Sequence, residues 1–322
     1  VSLYLPSSLV ETFAGGLLGG ITVDDGPTAE QIRVLNAVVT HVWNRPDLNV
    51  ANLRIIGPAE LADRLGDHPA RTMFHELHLT LEVCRHPPSP AQVQAVEEYA
   101  KALDVDGQDL EIFRSLVDSG VEAAAADYQR FLVGNLDERV EPSLRDVVVD
   151  PDHPEIALAE KLGTFAEYGP QTLGHAYIAF YERSGLRMPG VEPGSHNHFF
   201  VAHDMTHTIA GLSTSVAAEI ALSAFQFAMN NNQTNRAALL ASLVTHEAGF
   251  AHPAHLAHAE TGLLAHDFAA QLLGQELKRG SQCRGDFSLV DHFELAPMNL
   301  TDIRAEFGVA APANAHDGHH WW

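Results

Sequence analysis

His203-Asp204-Met205-Thr206-His207, followed after eleven residues by Glu219, is the stretch around which the chain is organised. Two histidines four apart project from one face of a helix, and Asp204 lies three residues from His207 on a neighbouring line. Along a continuous helix Glu219 would sit roughly 18 Å beyond His207, at about 1.5 Å per residue. The chain must therefore fold back for that carboxylate to join the histidines. Gly211 is placed to end the first helix, and Ser213, Thr214 or Ser215 to cap a second, antiparallel one. Neutral imidazoles and ionised carboxylates suit zinc, iron, manganese or cobalt. His203, Asp204, His207 and Glu219 are thus predicted as metal ligands and as the catalytic residues.

The residues around this stretch set the solvent environment of the site. Ile209 to Met229 is nearly all apolar, which leaves Glu219 an isolated acid that needs a partner, and a cation is a sufficient one. At 322 residues the chain is long enough for two cores. Its net charge of -23 repels phosphate backbones and anionic membrane faces, which argues against nucleic acid as a partner. Two cysteines, Cys84 and Cys283, with no CxxC pairing, favour a reducing compartment. With no run of about 18 apolar residues, the expectation is a cytoplasmic protein with at most peripheral membrane contact.

The periodicity predicts an all-α fold. Apolar residues recur at helical spacing from Leu9 to Val50, interrupted by Gly15-Gly16 and Gly19-Gly20, and a better helix begins at Thr28. Further helices are expected over 58–65, 71–84, 91–103, 109–117, 121–132, 156–162, 172–181 and 235–251. Residues 140–154, rich in proline and aspartate, read as an irregular connection. His75-Glu76-Leu77-His78 has its second histidine at +3 rather than the +4 of a zincin, and reads as a helix surface. Tyr177, Phe180 and Tyr181 read as core. His196 and His198 are candidate supporting or outer ligands. His246, Glu247, His252, His255, His258 and His266 form a secondary cluster read as a solvated face. Lys278, Arg279 and Arg284 either hold an acidic headgroup or complement a helix end. Ser119-Gly120 marks a boundary between a helical accessory domain, 1–119, and a metal-binding helical domain, 120–309. A flexible His/Trp tail, 310–322, follows.

Several segments in order resemble the Coq4 family of ubiquinone-biosynthesis proteins. They are Gly169-Pro170-Gln171-Thr172-Leu173-Gly174-His175-Ala176-Tyr177, the HDxxH stretch with Thr208 to Thr214 and Ala218-Glu219-Ile220-Ala221, Glu276-Leu277-Lys278-Arg279-Gly280, and Asn299 to Val309. The resemblance covers roughly 120–309. The turns at Val23–Gln31 and Cys84–Gln92 resemble those of the TerB-type helical domain, although the second lacks an acid. The first resemblance implies a helical core over 120–309 with metal on His203, Asp204, His207 and Glu219; the smaller helical domain expected before it, 1–119, is not part of the plain Coq4 arrangement. The same resemblance implies removal of a ring carboxylate, with hydroxylation at that carbon, from a prenylated aromatic. The apolar helix Val216 to Met229 would line a groove for the isoprenoid tail. Other biosynthetic enzymes are expected partners, and a homo-oligomer is expected.

Three alternatives stay open on the residues alone. One is a lipid-binding scaffold with a structural metal, and a second is a tailoring enzyme for another aromatic product. The third is an HD-type phosphohydrolase, for which His175 and Asp267 would complete the set. A metalloprotease is disfavoured because Asp204 is a carbon shorter than the glutamate base such sites use.

Overall fold

The computed structural model describes residues 3–85, 89–105, 139–148, 150, 152–193, 197–248 and 262–322. Among them the regular structure is helical, with no strand and two isolated bridges. In chain order the α-helices are α1 (Ser7–Ile21), α2 (Ala29–Ala37), α3 (Pro58–Arg64), α4 (His68–Val83), α5 (Pro90–Leu103), α6 (Ile156–Gly163), α7 (Leu173–Ser184), α8 (Phe199–Ala210), α9 (Val216–Met229), α10 (Gln233–His246), α11 (Asp267–Ser281), α12 (His292–Leu295) and α13 (Leu300–Phe307). None of the described helices is long and apolar enough to cross a membrane. The helices expected over 109–117 and 121–132 and the boundary at 119–120 lie outside the described residues.

Local chemistry sets where these helices begin. Thr28 and Gln31 form a capping box at α2. Prolines occupy the first turns of α3, α4 and α5, where a missing N–H costs nothing, and Asp67 and Ser89 cap α4 and α5.

Contacts divide the chain into two units: Val1–Leu132 with Ser223–Ser281, and Val133–Leu222 with Gln282–Trp322. The division in sequence order differs, since it keeps 223–281 with the residues before it. The difference arises because α11 packs on α2 and the π-helical turn Val38–Val42. A Cβ at Gly274 would lie 2.8 Å from that of Ala37.

The first unit is built on aromatic contacts. Phe13 meets Trp43 and Phe74 edge-on, each at 5.2 Å between centroids, and Phe74 stacks on Tyr99 at 5.4 Å. Burying such a side chain contributes about 1.5–3 kcal/mol. The glycines of α1 do not interrupt it; they lie inside one continuous helix and let neighbours approach. A Cβ at Gly15 would collide with the Arg54 carbonyl, and one at Gly20 with the His78 ring. His75, Glu76 and His78 are buried rather than on a helix surface. Glu76 there accepts from Asn231 at 2.5 Å and Arg236 at 3.3 Å, and burial raises its carboxyl above the ordinary range.

The second unit contains α6 to α8, the first turns of α9, and α12 and α13. Thr172 caps α7, and the Leu173 and Gly174 amides donate to the carbonyls of Met298 and Ala296 at 2.9 and 2.8 Å. The segment 140–154 is irregular as expected, with one 3-10 turn at Pro142–Leu144. The tail is not free. His320 pairs with Leu212, and the Trp321 amide donates to the Gly211 carbonyl at 2.8 Å. Its backbone finds partners in the second unit, which a sequence rich in Ala, Pro and Asn does not announce.

Gly280→Ala should destabilise the protein by about 1–3 kcal/mol, because the added methyl runs into the Phe225 backbone carbonyl of the crossing helix α9 rather than a movable side chain. Denaturant unfolding at fixed pH measures it, and an unchanged midpoint would contradict the close approach.

Candidate metal centre

The geometry follows from one reversal. α8 ends at Gly211, whose φ of 72° and ψ of 34° are left-handed values that cost a Cβ-bearing residue about 1–2 kcal/mol. The amides of Gly211 and Leu212 both return to the His207 carbonyl, at 2.8 and 3.0 Å. Ser215 then opens α9, its Oγ accepting from the Ala218 amide at 3.3 Å and its carbonyl from the Glu219 amide at 3.0 Å. Glu219 is thereby brought back to the histidines.

His203 Nε2 and His207 Nε2 are 3.2 Å apart, and Glu219 Oε2 is 3.3 Å from the first and 3.2 Å from the second. Ligands of one tetrahedral ion at about 2.0–2.1 Å are separated by about 3.3 Å. Three electron-pair donors facing one another at this spacing suit a cation. Asp204 joins the histidines as a third possible donor, with one ligand atom from each residue within 4.8 Å of the others. Its Oδ2, however, accepts from the Tyr181 hydroxyl. The His207 side chain is fully buried, whereas those of His203 and Glu219 keep 30% and 21% of their surface, so the group has a solvent-facing side.

Burial opposes charge on every member, and their mutual attraction decides the outcome. Burial would raise Glu219, but the His207 and His203 imidazoles hold it well below the ordinary carboxylate range. Burial would lower His207, but Glu219 and then Asp204 keep it above the ordinary imidazole value. Asp204 is raised by its own burial despite both imidazoles. Burial raises the Tyr181 and Tyr177 phenols far out of the titrating range, so Tyr181 remains a donor to Asp204.

The supporting residues come largely from α7. Tyr177 and Tyr181, four apart, lie in contact at 5.1 Å, and Phe180 packs against the His207 ring at 5.6 Å. All three are buried, as expected of core residues, but their face is aimed at α8; the i, i+4 tyrosine spacing was the available signal. His198 does not join the donors. Its Nδ1 lies 2.6 Å from Glu155 Oε1 and its amide donates to Oε2 at 2.8 Å. Among the described residues His175 is not grouped with His203, Asp204 and His207, and Asp267 is exposed and paired with Arg33 at 3.3 Å. His196, His252, His255 and His258 lie outside the described residues. Of the rest of that secondary cluster, Glu247 is buried and accepts from the Leu264 amide at 2.8 Å, rather than lying on a solvated face. Arg279 pairs with buried Glu276, and Arg284 donates to the carbonyls of Ala305 and Glu306 that end α13, the helix-complement role. Most apolar side chains of α9 are buried, with Val216 and Met229 at its two ends half-buried. Close to the donors in sequence, Phe199 and Phe200 are exposed, the latter with its ring 6.4 Å from that of His203.

The shifts carry a sign for the metal-free protein. Glu219, lowered in the fold, contributes stability that is present above its ordinary 4.5 and lost as pH falls through the lowered value. His207, raised in the fold, contributes stability that is present below its ordinary 6.5 and lost as pH rises through the raised value. Both contributions are complete between those ordinary values. Denaturant titrations of metal-free protein should therefore show stability falling from pH 5.5 to pH 8.5 by more than in Glu219→Gln; equal slopes would show that the pair is not coupled.

No family model matches the chain. It is 28% identical over 195 residues, 54% of this chain and 60% of the relative, to a protein of Laccaria bicolor named ubiquinone biosynthesis protein COQ4, mitochondrial. The chain thus spans about 60% of that relative's length. The similarity is to a Coq4 protein, in agreement with the ordered motifs around HDxxH.

Proposed function

We propose that this chain is a Coq4-like metal-dependent protein acting on a prenylated aromatic of the ubiquinone type, or a related hydrophobic aromatic, and removing a ring carboxylate. The observation that carries the reading is the triangle of His203 Nε2, His207 Nε2 and Glu219 Oε2, with sides of 3.2–3.3 Å and one side open to solvent. The COQ4 relative supports the substrate class.

His203, His207 and Glu219 would hold the ion, with Asp204 beside them. A divalent ion so bound would act as a Lewis acid toward a carboxylate or a neighbouring phenol oxygen. The residues around it do the remaining work. Fully buried His207, packed on Phe180, cannot swing away, which fixes the orientation of its ring. Tyr181 holds Asp204, so that this carboxylate does not close the open side. Phe200, with its ring 6.4 Å from that of His203, would offer an aromatic substrate an apolar surface beside the donors.

A second reading, a lipid-binding scaffold with a structural ion, is favoured by one observation: Asp204 is near enough to the histidines to serve as a fourth ligand. A structural site fills all its positions with protein, while a catalytic one keeps a position open.

Elemental analysis of the full chain tests the proposal. We expect one zinc, iron, manganese or cobalt per chain, absent from Glu219→Ala, with turnover of a ring-carboxylated aromatic lost in the same variant. Equal metal content in both proteins would sink the site. Glu219→Ala carries the same His-rich tail, so metal held by the tail cancels in the comparison. On the catalytic reading Asp204→Asn keeps the metal; loss of the metal in that variant would favour the scaffold.

A further inference from the structure

Residues 317–322 lie across the reversal that joins the two helices bearing the donors. The Ser213 amide donates to the His319 carbonyl and the Trp321 amide to the Gly211 carbonyl, both at 2.8 Å. Between these bonds Leu212 and His320 form an antiparallel bridge. His319 Nδ1 is 2.9 Å from Ser215 Oγ, the hydroxyl that also accepts from the Ala218 amide at the start of α9. Trp321 meets the Phe180 ring edge-on at 5.5 Å, and Phe180 in turn packs on His207.

The rest of this segment is anchored independently. Asp317 Oδ1 accepts from the amides of His319 and His320 at 2.8 and 3.0 Å, and its Oδ2 lies 2.9 Å from His320 Nδ1, which fixes a tight turn. The Arg304 guanidinium lies 3.7 Å from the Trp322 ring and donates to the Ile209 and Thr208 carbonyls at 3.0 and 3.1 Å, at the last turn of α8. Cation and ring thus join the segment to the helix that carries both histidines.

We propose that residues 317–322 are a strap that sets the distance between His207 and Glu219, with Trp321 and His319 as positioning residues for the metal centre. A segment that merely covered apolar surface would not need to bond the backbone at 211 and 213 and the capping side chain at 215. This one grips the only stretch through which the two donor helices are covalently joined. Metal–ligand distances at a well-formed site fall within about 0.2 Å of their standard values, so a segment that holds the donor helices together bears on affinity. Trp321 acts on His207 through Phe180, and His319 acts on Glu219 through Ser215 and the first turn of α9. The inference rests on the metal reading given above.

Cobalt(II) binding to the full chain, followed by visible absorption, tests the strap against that reading. The natural sequence should bind one equivalent more than Glu219→Ala, which keeps the same tail histidines. Trp321→Ala and His319→Ala should bind cobalt about 10- to 100-fold more weakly, as loss of outer-shell support does, with a shifted visible band and an unchanged far-ultraviolet spectrum. Trp321→Phe should recover most of the affinity, since a ring still reaches Phe180. Natural affinity and spectrum in both Trp321→Ala and His319→Ala would overturn the strap while leaving the site intact. Cobalt bound equally by Glu219→Ala would instead overturn the metal reading. The strap is then judged on metal-free protein by amide hydrogen exchange of residues 216–220. Exchange at least about tenfold faster in Trp321→Ala supports it, and unchanged exchange overturns it.

Discussion

Three electron-pair donors at 3.2–3.3 Å from one another, two of them on one helix and the third on the next, are the constraint to which the second unit is fitted. Such an arrangement is unfavourable unless protons or a cation lie among the donors, and it requires the chain to reverse within the few residues between α8 and α9. The left-handed turn at Gly211 supplies the reversal, and the cap at Ser215 restarts the helix so that Glu219 faces back. The surroundings then limit what each donor can do. His207 is sealed against Phe180, Asp204 is held by the phenol of Tyr181, and only His203 and Glu219 keep a solvent-facing edge. A cation would find fixed ligands on one side and room for a further ligand on the other.

The irregular segment before α6 contributes more than its lack of helix suggests. Glu141 accepts from the His292 amide at 2.7 Å and lies 2.8 Å from that ring's Nδ1, while Glu155 does the same for His198. Each carboxylate thus uses both oxygens on one histidine at the start of a helix, where free amides and the helix dipole favour negative charge. One of these clamps fixes the entry to α8, five residues before His203. The other holds α12, close in sequence to the Ala296 and Met298 carbonyls on which the start of α7 is bonded. The polar chemistry of this connection thus ties down the entry to α8 and the short helix α12 that precedes the carbonyls bonded by the start of α7.

Much of this was legible in the residues. A four-residue histidine spacing, a glycine placed to stop the helix and hydroxyls placed to restart it describe the reversal almost completely, because each is a local effect on backbone geometry. Helix starts at Pro58 and Thr172 were readable for the same reason. The glycines of α1 were not: a Gly-Gly pair looks like a break in any local scale, and only the approach of Arg54 and His78 shows that small size rather than flexibility was needed. His75 to His78 likewise looks polar enough for a surface, yet Glu76 is buried with Asn231 and Arg236, more than 150 residues away, and His78 lies against Gly20, Phe74 and Tyr99.

The sequence by itself determined the helical fold and the need for the chain to fold back after Gly211 for Glu219 to meet the histidines, since these rest on periodicity and on the bonding preferences of single residues. Tertiary structure alone decided that Tyr181 takes Asp204, that Phe180 seals His207, that 223–281 groups with the N-terminal helices, and that a histidine- and tryptophan-rich tail grips the reversal. Each of those outcomes depends on which distant surfaces meet, and the energy of such a meeting is not written in any one segment.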